Sequence, residues 1–262
     1  MQNVKPKKQL GQHFLTDQKI ASSIVDALDY HGNVIEIGPG MGVLSQYLFR
    51  RDDVRPVLIE VDQESVDYLK ANYPDKAQCV IYGDFLRLDP DTFFGVDANF
   101  AVIGNFPYNI SSQIFFRCLD YFHRVPEIVC MLQREVAQRL ASPPGNKDYG
   151  ILSVFLQAYY DIEYLFTVHE DVFNPPPKVK SGVIRLRRNS VDHLDCDEVL
   201  FRRVVKATFN QRRKTIWNGL RALGFDLTSL REDPVMLRRP EQLSVAEFVE
   251  LTNKISAAVA ER

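Results

Sequence analysis

Four consecutive residues, Asn105-Phe106-Pro107-Tyr108, follow an apolar run that ends in Gly104, within the stretch VIGNFPYNISSQIFF (102–116). An asparagine side chain offers an acceptor oxygen beside its N–H donors. The proline restricts residue 106, which fixes the direction of the Phe106 carbonyl. Tyr108 adds a flat ring on which a base stacks, a contact worth about 1–3 kcal/mol. Together these groups suit a planar, weakly nucleophilic amine such as an exocyclic adenine nitrogen, whose lone pair is delocalised into the ring. Acceptors on its N–H groups favour pyramidalisation and aim the lone pair at an electrophile. No strong base is required, because alkylation makes the nitrogen acidic and its proton leaves afterwards. Alignment alone supplies about 7–11 kcal/mol. A plain strand-terminal Asn–Pro turn would account for Pro107 but not for the tetrad.

A second group of residues suits the electrophile's carrier. EIGPGMG places glycines at 38, 40 and 42 between a strand and a helix, where the backbone turns tightly and a ligand approaches closely. The third glycine of a dinucleotide fingerprint would stand at 43, which is valine, so a nicotinamide site is disfavoured. Glu60 ends the second strand about twenty residues on, where a carboxylate accepts hydrogen bonds from a ribose diol. Asp84 ends the third strand, placed for the adenine amino group. Each carboxylate alone also suits a helix cap; at successive strand ends beside the glycines they outline an adenosine pocket. No P-loop lysine follows, so the ligand lacks a polyphosphate, and S-adenosylmethionine is the adenosine ligand that fits best.

The elements that must position these residues follow from periodicity. Apolar, β-branched runs at 33–38, 56–62, 79–84, 100–105, 127–133, 162–168 and 181–188 alternate with amphipathic stretches such as QESVDYLKANY and SSQIFFRCLDYF. Alternation with nearly continuous apolar strands predicts an α/β fold with a parallel sheet covered on both faces. The last two runs have only a loop between them and predict an antiparallel pair closing a seven-stranded sheet. After Arg188 the pattern is helical only. It includes one long stretch over 197–223 and another after Ser244, with Glu247 placed for a capping box. The division is a domain of 1–188 and a smaller helical one of 189–262, with SPPGNKDYG (142–150) as a mobile loop.

Of the 262 residues, 45% are hydrophobic and 25% charged, ordinary for a well-cored chain. No apolar run reaches the ~18 residues of a membrane span. The four cysteines are scattered, which predicts free thiols in a reducing compartment, no metal site and a cytoplasmic location. Net charge is −2, yet Pro175 to Pro240 holds 15 Lys and Arg against 7 Asp and Glu, leaving −10 on the rest. Such asymmetry predicts a face for a polyanion.

The chain resembles the ribosomal RNA adenine N6,N6-dimethyltransferases of the small-subunit family. KPKKQLGQHFL, EIGPGMGVLS, VLIEVD, GNFPYNIS, MLQREVAQRL, YGILSV, VFNPPPKVKSGVIRL and FNQRRKT carry the resemblance, in order, over most of residues 5–217. It implies a Rossmann-like class I methyltransferase fold. It puts His13, Leu15, Gly38, Glu60, Asp84 and Asn105 at cofactor positions, to which the glycine loop adds Gly40. Asn105 through Tyr108 would form the catalytic loop, with Phe173 as a second aromatic wall opposite Tyr108. The family often has Asn where His13 stands and usually Leu where Phe106 stands. RNA would be held by Lys5, Lys7 and Lys8 of a basic arm and by Arg202, Arg203, Lys206, Arg212, Arg213 and Lys214. The implied substrate is two adjacent adenines of small-subunit RNA in a partly assembled 30S-type subunit; the sequence shows no apolar seam for a partner copy, which predicts a monomer.

Three rivals stand beside this reading. A large-subunit adenine methylase is typically strongly basic, whereas this chain has a pI near 6.2. A DNA adenine methylase would carry an acidic residue at position 105. An RNA-binding assembly factor, with methylation secondary, would not need Glu60, Asp84, Asn105 and Tyr108 intact.

Overall fold

The computed structural model of the chain describes residues 4–260. Its strands are β1 (Phe14–Leu15), β2 (Gly32–Ile37), β3 (Val54–Glu60), β4 (Val80–Tyr82), β5 (Phe100–Asn105), β6 (Glu127–Gln133), β7 (Tyr160–Val168), β8 (Phe173–Asn174) and β9 (Ser181–Arg188). Its α-helices are α1 (Gln18–Asp26), α2 (Ser45–Leu48), α3 (Gln63–Asn72), α4 (Asp91–Phe94), α5 (Ser111–Asp120), α6 (Arg134–Ala141), α7 (Ile151–Gln157), α8 (Glu198–Asn210), α9 (Ile216–Leu220) and α10 (Val245–Ala260).

Seven strands form one sheet in the order β4-β3-β2-β5-β6-β9-β7. The first five pair in parallel, and β9 runs antiparallel to β6. The apolar runs of the sequence thus become a mostly parallel sheet, with helices packed on it. β3 and β5 lie on opposite sides of β2, so the strand order reverses there, and the crevice for a ligand opens at the carboxyl ends of these three strands. Val34, Ala101, Ile103, Val129 and Met131 from the sheet share a core cluster with Ala21, Ile24 and Val25 of α1. Leu58 and Val80 share a second one with Val66 and Leu69 of α3. Carboxylates start both helices: Asp17 accepts the N–H groups of Lys19 and Ile20, and Asp62 that of Glu64.

Two compact units divide the chain: Met1–Ala137 with Asp161–Arg188, and Gln138–Tyr160 with Asn189–Arg262. Residues 138–160, read from sequence with the first domain, belong to the second unit. Tyr149 is the reason. Its ring is fully buried, 6.4 Å from Phe209, and Phe155 lies 6.2 Å from Phe201. The 142–150 segment is also tied down, the Gly145 N–H donating to the Glu241 carbonyl over 2.7 Å. The helical stretch over 197–223 is broken into α8, a turn and α9. Gly219 makes this possible, since a Cβ there would lie 2.6 Å from the Thr208 Cα. The capping box of α10 is present: the Ser244 N–H donates to Glu247 Oε2 and the Glu247 N–H to Ser244 Oγ.

Candidate active site

Residues from the arm before α1, the glycine loop and the ends of β3, β4 and β5 line one cleft in the first unit. Among them are His13, Leu15, Glu36, Gly38, Gly40, Glu60, Asp84 and Asn105 through Tyr108. Gly40 has φ +55°, and a Cβ on it would lie 2.7 Å from the Phe14 ring, so only glycine fits under the arm. Its N–H donates to Glu60 Oε2 over 3.0 Å, and the Asp62 N–H donates to Glu60 Oε1 over 2.9 Å. These bonds hold the carboxylate in place and leave each oxygen one further lone pair. Burial nevertheless pushes the Glu60 carboxyl above its ordinary value. Asp84 is partly exposed; its Oδ1 accepts the Leu86 N–H over 3.0 Å.

Asn105 is aimed by the arm. Its Nδ2 donates to the His13 carbonyl over 3.0 Å, so the amide presents Oδ1 as its free acceptor. Gly104 just before it has no room for a side chain: a Cβ would stand 2.6 Å from the Ile37 carbonyl oxygen, where β2 and β5 converge on the cleft. Phe106 is 1% exposed, its ring edge-on to Phe115 at 5.7 Å, and its N–H donates to the Met131 carbonyl over 2.9 Å. Packing plus that bond fixes the peptide ahead of Pro107. The Tyr108 hydroxyl lies 2.6 Å from Ser181 Oγ, which ties the loop to the start of β9.

Phe173 is not brought to the cleft. It is 4% exposed and belongs to the core cluster that includes Leu15, Met131 and Val183. In the β1–β8 ribbon it pairs with Leu15, while its neighbour Asn174 is exposed; strand alternation therefore turns Phe173 inward. The ring that faces Tyr108 is instead His13, with centroids 5.7 Å apart and planes inclined by 24°. His13 Nδ1 donates to the Pro175 carbonyl over 2.7 Å, which leaves Nε2 as the nitrogen open to a ligand. Nothing in the sequence signalled this pairing, because residues 13 and 108 lie far apart in the chain.

The arm's lysines divide. Lys5 and Lys8 are exposed, but the Lys7 ammonium is bonded to buried Asp62 and sits 3.4 Å from Glu64. Gln12 donates to the same Asp62 over 3.2 Å. Lys7 therefore anchors the arm, unlike Lys5 and Lys8 with which the sequence grouped it; Asp62, its partner, went unnoticed in the sequence because an Asp after Val reads as a helix cap. In the second unit, Arg202, Arg203, Lys206, Arg213 and Lys214 are exposed and Arg212 is partly so. The Arg203 guanidinium lies 5.0 Å from the centre of the Phe225 ring.

The cleft fits S-adenosylmethionine. Three acidic side chains and no lysine or arginine line it, which suits a cationic ligand, and Glu60 and Asp84 stand at the ends of adjacent strands. Among the described residues no cluster of three His, Cys, Asp or Glu is arranged for a metal, and no helix is long and apolar enough to cross a membrane.

Comparison with known proteins bears on the family and the fold. The ribosomal RNA small subunit methyltransferase A of Cytophaga hutchinsonii is 55% identical over 259 residues, covering 98% of this chain and 99% of that one. Its counterpart in Parabacteroides distasonis is 56% identical over 255 residues, covering 96% and 94%. A dimethyladenosine transferase from Plasmodium falciparum shares the fold with a TM-score of 0.78 at 20% identity, covering 94% of this chain and 98% of that one. The 23S rRNA methyltransferase ErmE follows at 0.66 and 25% identity, covering 92% and 99%. The sequence model described as ribosomal RNA adenine dimethylase matches residues 3–253, and the chain belongs to that family.

Proposed function

We propose that the protein transfers methyl groups from S-adenosylmethionine to N6 of two adjacent adenines in small-subunit ribosomal RNA, giving N6,N6-dimethyladenosine. The observation that carries this reading is Asn105, whose amide is held by the His13 carbonyl with its oxygen left free. The bound cofactor supplies an electrophilic methyl group on a sulfonium. Glu60 and Asp84 hold its adenosine, and Gly38 and Gly40 let it approach the backbone. Asn105 Oδ1 and the Phe106 carbonyl accept the two N6 hydrogens and direct the nitrogen lone pair, while Tyr108 supports the flipped base. After transfer the nitrogen is cationic, and one of the same acceptors passes its proton to water. Repetition at each nitrogen gives the dimethyl product. The substrate is a partly assembled 30S-type subunit, the enzyme acts as a cytoplasmic monomer, and the exposed basic residues of α8 and the following turn meet the RNA.

The direct test is methyl transfer from labelled cofactor to small subunits that lack the modification, with nucleoside analysis of the product. N6,N6-dimethyladenosine in the small-subunit RNA is expected; label in another nucleoside, or none, would overturn the reading.

Two variants test the assigned roles. Tyr108→Ala should slow transfer by about 5–150-fold, the equivalent of one stacking contact of roughly 1–3 kcal/mol. The calorimetric cofactor dissociation constant should stay within twofold. Tyr108→Phe, which keeps the ring and loses only the Ser181 bond, should stay near wild type. For the arm, single-stranded RNA binding can be measured against salt. Lys8→Ala should reduce the slope of log K against log salt by about 0.7, one phosphate contact. Lys7→Ala should leave that slope alone and instead speed cofactor release severalfold in stopped flow, because it frees the arm from Asp62.

A further inference from the structure

Glu36 is a buried carboxyl for which the proposed methyl transfer has no use. It lies near the end of β2, is 1% exposed and lines the cleft. Among the described residues its side chain has one hydrogen-bond partner, the Ser45 hydroxyl of α2, at 2.7 Å from Oε2. The titratable groups that face it are Glu60 from β3 and Tyr73 at the end of α3, so none brings positive charge. The cleft lining adds Asp84 and again no lysine or arginine. A carboxylate shut away from water with no cation and a second carboxylate nearby is cheaper to keep neutral. Burial, with repulsion from Glu60, pushes Glu36 up to about 8. Glu60 differs because two backbone N–H groups already support its charge. What Glu36 lacks is a positive partner, and S-adenosylmethionine brings two, an ammonium and a sulfonium.

We infer that Glu36 holds a proton while the cleft contains no cation and releases it to solvent as the cationic cofactor binds, then remains as its counter-charge. One O–H bond breaks, the proton goes to the buffer, and no covalent bond forms to the ligand. The inference rests on S-adenosylmethionine as cofactor and is independent of which RNA is methylated. It has two consequences. Cofactor affinity rises with pH, the dissociation constant falling toward tenfold per unit well below pH 8 and levelling above it. The demethylated product, a thioether with one positive charge fewer, releases a smaller fraction of the proton and is held less firmly.

The test is calorimetry of S-adenosylmethionine binding to the full chain, without RNA, at pH 7 in phosphate and in Tris. Their different ionisation enthalpies turn proton release into a difference in observed heat. Approaching one proton released per cofactor is expected for the wild type, less for S-adenosylhomocysteine, and none for Glu36→Gln, whose affinity should no longer change with pH. No release by the wild type, or release that persists in Glu36→Gln, would overturn the assignment; the second result would make Glu60 the donor. Thermal unfolding of the free protein gives a second reading. The folded state keeps the Glu36 proton at pH values where an unfolded glutamate has lost it. Wild-type stability should therefore fall relative to Glu36→Gln as pH rises from the ordinary glutamate range to about 8. A flat difference over that window would count against the inference even if the variant bound no cofactor. Failure of methyl transfer to RNA would leave these heats unchanged, so the two readings fail separately.

Discussion

Asn105→Ala is expected to lower methyl transfer by about 10²–10³-fold at saturating cofactor, the usual cost of removing one preorganised hydrogen-bonding group from the reacting centre. The substitution deletes the oxygen that accepts an N6 hydrogen. It also deletes the Nδ2 donor that fixes the His13 carbonyl, so the arm loses an anchor over the cleft. Asn105→Asp separates the two effects. It keeps an acceptor at the same place but sets a carboxylate against the His13 carbonyl, which repels it. If orientation by the arm matters, the aspartate variant should fall well below wild type while remaining above the alanine variant. Single-turnover rates with bound cofactor measure both. Wild-type rates in the alanine variant would remove Asn105 from the chemistry, and equal rates in the two variants would deny the acceptor any role of its own.

Phe173→Ala should act on folding before it acts on chemistry. The ring is almost fully buried in the cluster that joins the β1–β8 ribbon to the sheet. Truncating such a phenylalanine typically costs about 3–5 kcal/mol. For a chain of this size that is a fall of roughly 10 °C in the melting temperature. Phe173→Leu refills most of the cavity without an aromatic face and should recover both stability and most of the transfer rate. A stable leucine variant with transfer reduced as far as in Tyr108→Ala would instead mean that the ring leaves the core to stack on the base. His13, already stacked near Tyr108, is the residue whose replacement should affect base positioning on this geometry.

These two positions also mark how far the sequence could be read. The parallel strands were legible because both of their faces are buried, so each appears as an uninterrupted apolar run: 100–105 and 127–133 were read with their observed bounds. The glycine loop, Glu60, Asp84 and Asn105 were legible because they stand at the ends of those runs, where the switch point puts a ligand. The two-residue strands β1 and β8 were not, since two residues carry no period. With them went the inward turn of Phe173 and the meeting of His13 with Tyr108. The break in the 197–223 helix was hidden for a different reason. Its apolar spacing continues through the turn, and only the close approach of Gly219 to Thr208 shows where the chain doubles back. Lys7 looked like a free cation because its partner Asp62 lies 55 residues away.

The β1–β8 ribbon also sets an order of events during synthesis. Thr16 bonds the Val172 carbonyl, and His13 bonds that of Pro175, across 156 and 162 residues. Asp62 holds the front of the arm through Lys7 and Gln12, but the stretch around His13 lacks its ribbon partner until that much chain has followed it out of the ribosome. The glycine loop and the ends of β3 and β5 are made earlier, so an adenosine pocket can exist on the nascent chain before the ribbon fixes the His13 carbonyl that aims Asn105. Contacts at such separation are the slow ones to form. Competence for transfer therefore arrives late in translation, with the closing of a ribbon two residues wide.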